Sequence, residues 1–140
     1  MAYEIQPQIV LGVLTAASDY NDATDQFCLV KTTNGTTFRK TNTLGEYCLG
    51  VLTGLPSSGT PGTIVTHGIT KVRVNSTSHA AWPAGTKICA STVGGARSST
   101  AVARYTIGRF LENVSSNATG LYTAMISHEG GGSSGTIGAA

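Results

Sequence analysis

Three histidines are the chain's natural proton carriers: His67, His79 and His128. A hydrolase of the serine type would need one of them beside a serine and oriented by a carboxylate. Thirteen serines and Asp19, Asp22 and Asp25 are available, but no Gly-x-Ser-x-Gly elbow surrounds any serine, so a triad drawn from His67 has nothing local to support it. Glycoside chemistry would need two facing carboxylates from Glu4, Asp19, Asp22, Asp25, Glu46, Glu112 and Glu129, spread along the chain. The cluster Ser-Asp-Tyr-Asn-Asp-Ala-Thr-Asp holds Asp19, Asp22 and Asp25. It is expected to be a solvated loop, with a weak calcium site as the sharper alternative. An EF-hand's glycine and distal glutamate are both missing. No phosphate-cradling Gly-x-x-x-x-Gly-Lys or dinucleotide fingerprint is present. The expectation is no catalytic residue, no cofactor and no resident metal.

The cysteines point the same way. Cys28, Cys48 and Cys89 sit in short apolar runs without Cys-x-x-Cys spacing, as small core residues do. They are expected to be free thiols kept in a reducing cytoplasm. Four Asn-x-Ser/Thr sequons, at Asn34, Asn75, Asn113 and Asn117, arise by chance in so Ser- and Thr-rich a chain. Residues 1 to 10 include Glu4 and Pro7 and lack an apolar core, so they do not resemble a signal peptide. No apolar run is long enough to span a membrane.

The elements that must position these residues read as strands. Apolar positions at i, i+3, i+4 and i+7 are not sustained anywhere; short β-branched runs between turn signals recur instead. Residues 26 to 31 and 36 to 40 flank Asn34-Gly35, a strong hairpin signal. Residues 47 to 53 form a second apolar run. Residues 63 to 75 alternate strictly, with Ile64, Thr66, Gly68, Thr70, Val72 and Val74 on one face. Val65, His67, Ile69, Lys71 and Arg73 take the other, and Gly68 in mid-strand predicts a bulge or corner. Trp82-Pro83-Ala84-Gly85 is a turn; residues 86 to 91, 101 to 111 and 120 to 127 are further strands. Residues 1 to 12 read as an extended arm that could reach about 40 Å. The body is residues 13 to 129, and residues 130 to 140 form a flexible Gly/Ser-rich tail.

Two segments align without gaps at an offset of 58 residues. Tyr47 matches Tyr105, Gly50 matches Gly108, Leu52 matches Phe110, and Gly62 matches Gly120. The pattern describes two similar β units closing on one core, with residues 53 to 61 and 113 to 119 as equivalent loops.

Composition narrows the function classes. The 140 residues include 18 Gly, 13 Ser and 21 Thr, and only 11% are charged, against roughly 25% in an ordinary soluble domain. The net charge is +2 with no basic patch, so nucleic-acid binding is not expected. Such low charge suits a chain whose surface is covered in an assembly. The aromatics are few and dispersed. Trp82 is read as a plug on the barrel or a contact to a neighbouring subunit, with a ligand platform as the alternative. His67 is read as a surface or interface side chain.

Three stretches carry a resemblance to a known family. The first is Leu49-Gly50-Val51-Leu52, a small-residue loop, then Gly62-Thr63-Ile64-Val65-Thr66-His67-Gly68-Ile69-Thr70-Lys71-Val72. The second is Pro83-Ala84-Gly85-Thr86-Lys87-Ile88. The third is Ile107-Gly108-Arg109-Phe110-Leu111-Glu112, followed by Gly120-Leu121-Tyr122-Thr123-Ala124-Met125-Ile126. In order and spacing these resemble the tailed-phage capsid decoration (cement) proteins, small head proteins that include a group first catalogued as a domain of unknown function. The resemblance covers residues 45 to 127; residues 1 to 45 match less clearly. It implies a small, all-β barrel or sandwich, a homotrimer on the outer capsid surface of the virion, with the major capsid protein as partner. It implies no enzymatic activity. Tyr3, Ile5, Pro7, Ile9 and Leu11 of the arm become the expected capsid contacts, and His67, Trp82 and Arg109 the expected subunit interface. The alternative is a head-fibre or adhesin-like module binding host glycans, with Trp82 and residues 53 to 61 as its candidates.

Overall fold

The strict alternation over residues 63 to 75 becomes β6 (Ile64–Val74), the strand around which the chain is arranged. The structure is a computed structural model, and it describes residues 8–10, 14–101 and 103–131. Along β6, Ile64, Gly68, Val72 and Val74 are buried, while His67, Ile69 and Lys71 face outward. Val65 sits in the outward register yet is buried, in the stretch where β6 is flanked by β5 (Gly50–Leu52) and β1 (Gln8–Val10). At Gly68 the backbone takes φ +108°, a conformation that favours glycine. From that point β6 pairs with β10 (Gly120–Gly131) instead.

The remaining strands are β2 (Thr15–Ala16), β3 (Leu29–Thr32), β4 (Thr37–Lys40), β7 (Lys87–Ala90), β8 (Ala96–Ser98) and β9 (Tyr105–Phe110). They form one sheet in the order β2-β4-β3-β5-β6-β10-β9-β7-β8, with β1 on the side of β6 away from β5. The β2–β4 pair is parallel and every other pair antiparallel. The all-β expectation holds; the only helical element among the described residues is a 3-10 turn, Ala23–Asp25. The sheet does not close. It folds over so that Leu29 and Val51 of one half pack with Val72, Ile88, Ile107, Phe110 and Ala124 of the other. Backbone bonds from Leu29 N to Gly94 O (2.7 Å), Gly45 N to Ala90 O (2.9 Å) and Tyr105 N to Gly45 O (2.9 Å) stitch the halves together.

A second core lies on the other side of β3 and β5. Cys28, Val30, Phe38, Leu52 and Ile64 pack there with Leu14, Ala16 and Tyr20. Burial on both faces explains why 28 to 30 and 51 to 52 are continuous apolar runs rather than alternating ones. Each such large side chain contributes about 1.5–3 kcal/mol through burial. The three cysteines are free and buried, and burial pushes the Cys28 thiol up to about 12.

Several strand boundaries differ from expectation for local reasons. The strand expected at 26 to 31 begins at Leu29, because Phe27 adopts φ +63° and its carbonyl is taken by Arg73 N (3.0 Å). The Asn34-Gly35 hairpin forms, but its last pair is Thr32↔Phe38. Asn34 Oδ1 accepts from the Thr36 and Thr37 amides at 3.1 and 3.0 Å and holds a longer loop than a two-residue turn. The run at 101 to 111 shortens to β9. β10 runs on through Gly130 and Gly131, opposite Thr106 and Tyr105, past the composition boundary at 130. β1 lies inside the segment expected to be a partnerless arm: Gln8 stands opposite His67 and Ile9 opposite Val65.

The repeat has a structural counterpart. β5 and β9 each pair antiparallel with the strand that follows their loop, β6 and β10. In both, the matched glycine lies against a carbonyl of that strand. A Cβ on Gly50 would come 2.2 Å from Val65 O, and one on Gly108 would come 1.9 Å from Met125 O.

Candidate functional site

The histidines separate in the structure, and two of them meet. After Ile126↔Gly68 the β10 register slips, and the slip places His128 at φ +49°. A non-glycine residue there marks a locally demanding backbone. Its ring lies 5.1 Å from the ring of His67 on β6. Its Nδ1 is 2.7 Å from the Tyr105 hydroxyl. Tyr47, half exposed at 52%, meets Tyr105 edge to face at 5.0 Å. Burial, and next the neighbouring His67, hold the His128 imidazole below its ordinary value; hydrogen bonds with the backbone of Leu49 and Thr66 work against that shift. Burial pushes the Tyr105 phenol up. Among the described residues neither imidazole is bonded to a serine or a carboxylate, and no three His, Cys, Asp or Glu converge. Two imidazoles and two phenols at a surface can stack on and hydrogen-bond a partner. β1 starts opposite His67, so the chain enters the sheet at this cluster.

Arg109 is exposed on β9 and grips Glu129 with two parallel bonds, Nε to Oε2 at 2.9 Å and Nη2 to Oε1 at 2.8 Å. Its Nη1 donates to Gly85 O at 3.1 Å. Register places Ile69, Met125, Arg109 and Lys87 in one row across β6, β10, β9 and β7. Leu111 and Leu121 lie on the same outward face, exposed at 43% and 40%, with Ile69 at 40%. A shallow, largely apolar hollow beside Arg109 is lined by Phe110, Leu111 and Met125. This face is an open, mixed apolar and charged surface; of its residues, Arg109 is an interface residue expected from the sequence and Glu129 one of the candidate carboxylates.

Trp82 sits elsewhere. It is 6% exposed and stacks between His79 at 4.0 Å and Phe110 at 5.6 Å. Its backbone is paired both ways with Val114 at 2.8 Å. That is the place of a plug: its rings are spent on the core, which leaves little of them for a neighbouring subunit or a ligand. His79 is held by Ala80 O at 2.7 Å and Ala118 O at 2.9 Å.

The three aspartates do not share a centre. Asp19 accepts from Ser58 N at 2.7 Å, Asp22 caps the 3-10 turn through Thr24 N at 3.0 Å, and Asp25 is paired with Lys40. Of the expected arm contacts, Ile9 lies in β1; Tyr3, Ile5, Pro7 and Leu11 lie outside the described residues.

No family model and no curated protein matches the chain, so the resemblance to the decoration family has no such match behind it. Among solved structures the chain is similar to the crystal structure of the head fibre gp8.5 N base in bacteriophage phi29. The TM-score is 0.58 at 17% identity, covering 86% of this chain and 96% of that one. The β-sheet organisation described above is therefore a fold that a bacteriophage head-fibre base also adopts.

Proposed function

We propose that the protein is a structural component of a bacteriophage head. The observation that carries this reading is the likeness to a phage head-fibre base over nearly the whole of both chains. We further propose the decoration role: a homotrimer on the outer capsid surface, bridging neighbouring copies of the major capsid protein, without catalytic activity. Low charge, the open face around Arg109 and the His67–His128 cluster support a molecule built for contact. Repetition over a lattice lets weak contacts add up.

Co-sedimentation of the full chain with phage heads built from its cognate major capsid protein tests the reading. Saturable binding at a fixed ratio is expected, and its absence overturns the proposal. Light scattering of the free protein is expected to give three times the 14.3 kDa chain mass. A second reading, a head-fibre module whose loops bind host glycans, is favoured by the neighbour being part of a head fibre. Heads that bind equally well with and without the protein to host cells would exclude it.

A further inference from the structure

Among the described residues, four of the chain's nine lysines and arginines are neutralised in ion pairs. Lys31, Lys40, Lys71 and Arg109 each have a carboxylate, in Glu46, Asp25, Glu112 and Glu129. Arg39, Arg73, Lys87, Arg97 and Arg104 have no such partner among the described residues, and of these Lys87 and Arg104 together line one cavity of about 270 Å³ between β7, β9 and the end of β10. Arg104 Nη1 is satisfied only by neutral oxygens, Ser98 O at 3.5 Å and Thr100 Oγ1 at 3.4 Å.

The rest of the wall is hydroxylic. Ser99, Thr100 and Thr106 line it, with Thr106 Oγ1 donating to Ser99 Oγ at 3.2 Å. Glu129 also lines it, its carboxylate fixed by the two-pronged bond to Arg109. The ligand chemistry follows from that mixture. A bare inorganic anion would satisfy the two cations but meet a carboxylate on the same wall. A neutral sugar would leave two cations unneutralised. A ligand that carries both an anionic group and hydroxyl donors satisfies both. The volume lies just below the roughly 300–1,000 Å³ usual for larger ligands, a size for one ring.

We propose that this cavity binds a single sugar unit bearing a carboxylate or phosphate, the anion held by Lys87 and Arg104 and the ring hydroxyls by Glu129, Ser99, Thr100 and Thr106. The cavity adjoins the Arg109 face through Lys87 and Glu129, but sugar binding is read on the free chain without heads, so its failure leaves the head-attachment proposal standing and the reverse also holds.

Amide chemical-shift titration of the full chain tests it, with glucuronate, glucose 6-phosphate, glucose and inorganic sulfate as probes. Glucuronate, glucose 6-phosphate or both are expected to shift Ser99, Thr100, Thr106, Gly130 and Gly131, saturating with a dissociation constant on the order of 1 mM. The two acidic sugars separate the carboxylate source from the phosphate one. Glucose and sulfate are expected to bind about tenfold more weakly or not at all, since each lacks one half of the match. Lys87→Ala and Arg104→Ala are each expected to cost about tenfold. Lys87 is exposed, so its variant keeps the test open if the Arg104 one fails to fold. Sulfate binding as tightly as the acidic sugars, no saturable shift at these amides, or an unchanged affinity in Lys87→Ala would each overturn the assignment.

Discussion

His128 stands with its ring 5.1 Å from that of His67, although 61 positions separate them in the chain, and its backbone lies in the left-handed region at φ +49°. The folded state favours the neutral imidazole at His128, through burial first and the His67 charge second. The unfolded chain therefore binds more protons than the folded one between the lowered folded value and the ordinary 6.5. Stability from this group is complete above about pH 7 and falls as pH drops through that window. Melting temperature recorded from pH 8 to pH 5 is expected to decline on the acid side. The variant His128→Asn, which tolerates the same backbone, is expected to flatten that decline. An unchanged slope in the variant would assign the effect to other groups.

Gly50 and Gly108 are each expected to be intolerant of even a methyl group. A Cβ would sit 2.2 and 1.9 Å from backbone carbonyl oxygens, which cannot swing aside as a side chain can. Gly50→Ala and Gly108→Ala are each expected to cost about 3 kcal/mol or more in urea denaturation. Gly54, with nothing within 4 Å of its would-be Cβ, is the control. Gly54→Ala is expected to stay within about 0.5 kcal/mol of the parent.

Trp82→Ala is expected to act on stability rather than on recognition. Removing a ring packed between His79 and Phe110 leaves a cavity worth about 3–5 kcal/mol. Denaturation measured alongside any binding assay separates the two. A folded variant of parental stability that has lost binding would return Trp82 to the role of a contact residue.

Two truncations divide the arm. Removing residues 1 to 7 leaves β1, whereas removing residues 1 to 12 strips β1 from β6 and bares the edge opposite Ile64, Val65 and His67. The longer truncation is expected to melt lower and the shorter to melt with the parent. If the arm carries head attachment, both are expected to fail in co-sedimentation. Intact binding by both would move attachment to the Arg109 face.

Much of this architecture was legible in the residues. Alternation gave β6 its faces, and Gly68 its corner. The gapless self-alignment put Tyr47 with Tyr105, and the rings touch. The features not legible there have physical reasons for it. β8 is Ala-Arg-Ser, with no β-branched residue. Its turn depends on Ser91 Oγ accepting from Gly95 N at 2.9 Å, a bond no spacing rule announces. β1 is three residues long and owes its place to a free edge of β6. The meeting of His67 and His128 depends on a register slip near the end of β10, and periodicity carries no trace of a slip. Trp82 beside Pro83 is compatible with a plug or a contact until its neighbours are known.

The division of β6 between two sets of partners has a consequence for synthesis. Its first residues can pair as soon as β5 and β1 exist, but the edge that residues 68 to 74 turn to β10 waits for residues 120 to 126. At about 5–20 residues per second that interval lasts several seconds. During it, a nascent chain carries half of a β-branched strand with a bare edge, in the company of other nascent chains making the same segment. Ile69, Lys71 and Arg73 alternate along that half, so two of every three outward positions there are cationic. Like charges set against one another across a strand pair repel. Lys71 and Arg73, which in the finished fold are engaged by Glu112 and by the Gln26 and Ala23 carbonyls, would thus keep unfinished copies from zipping together on the ribosome.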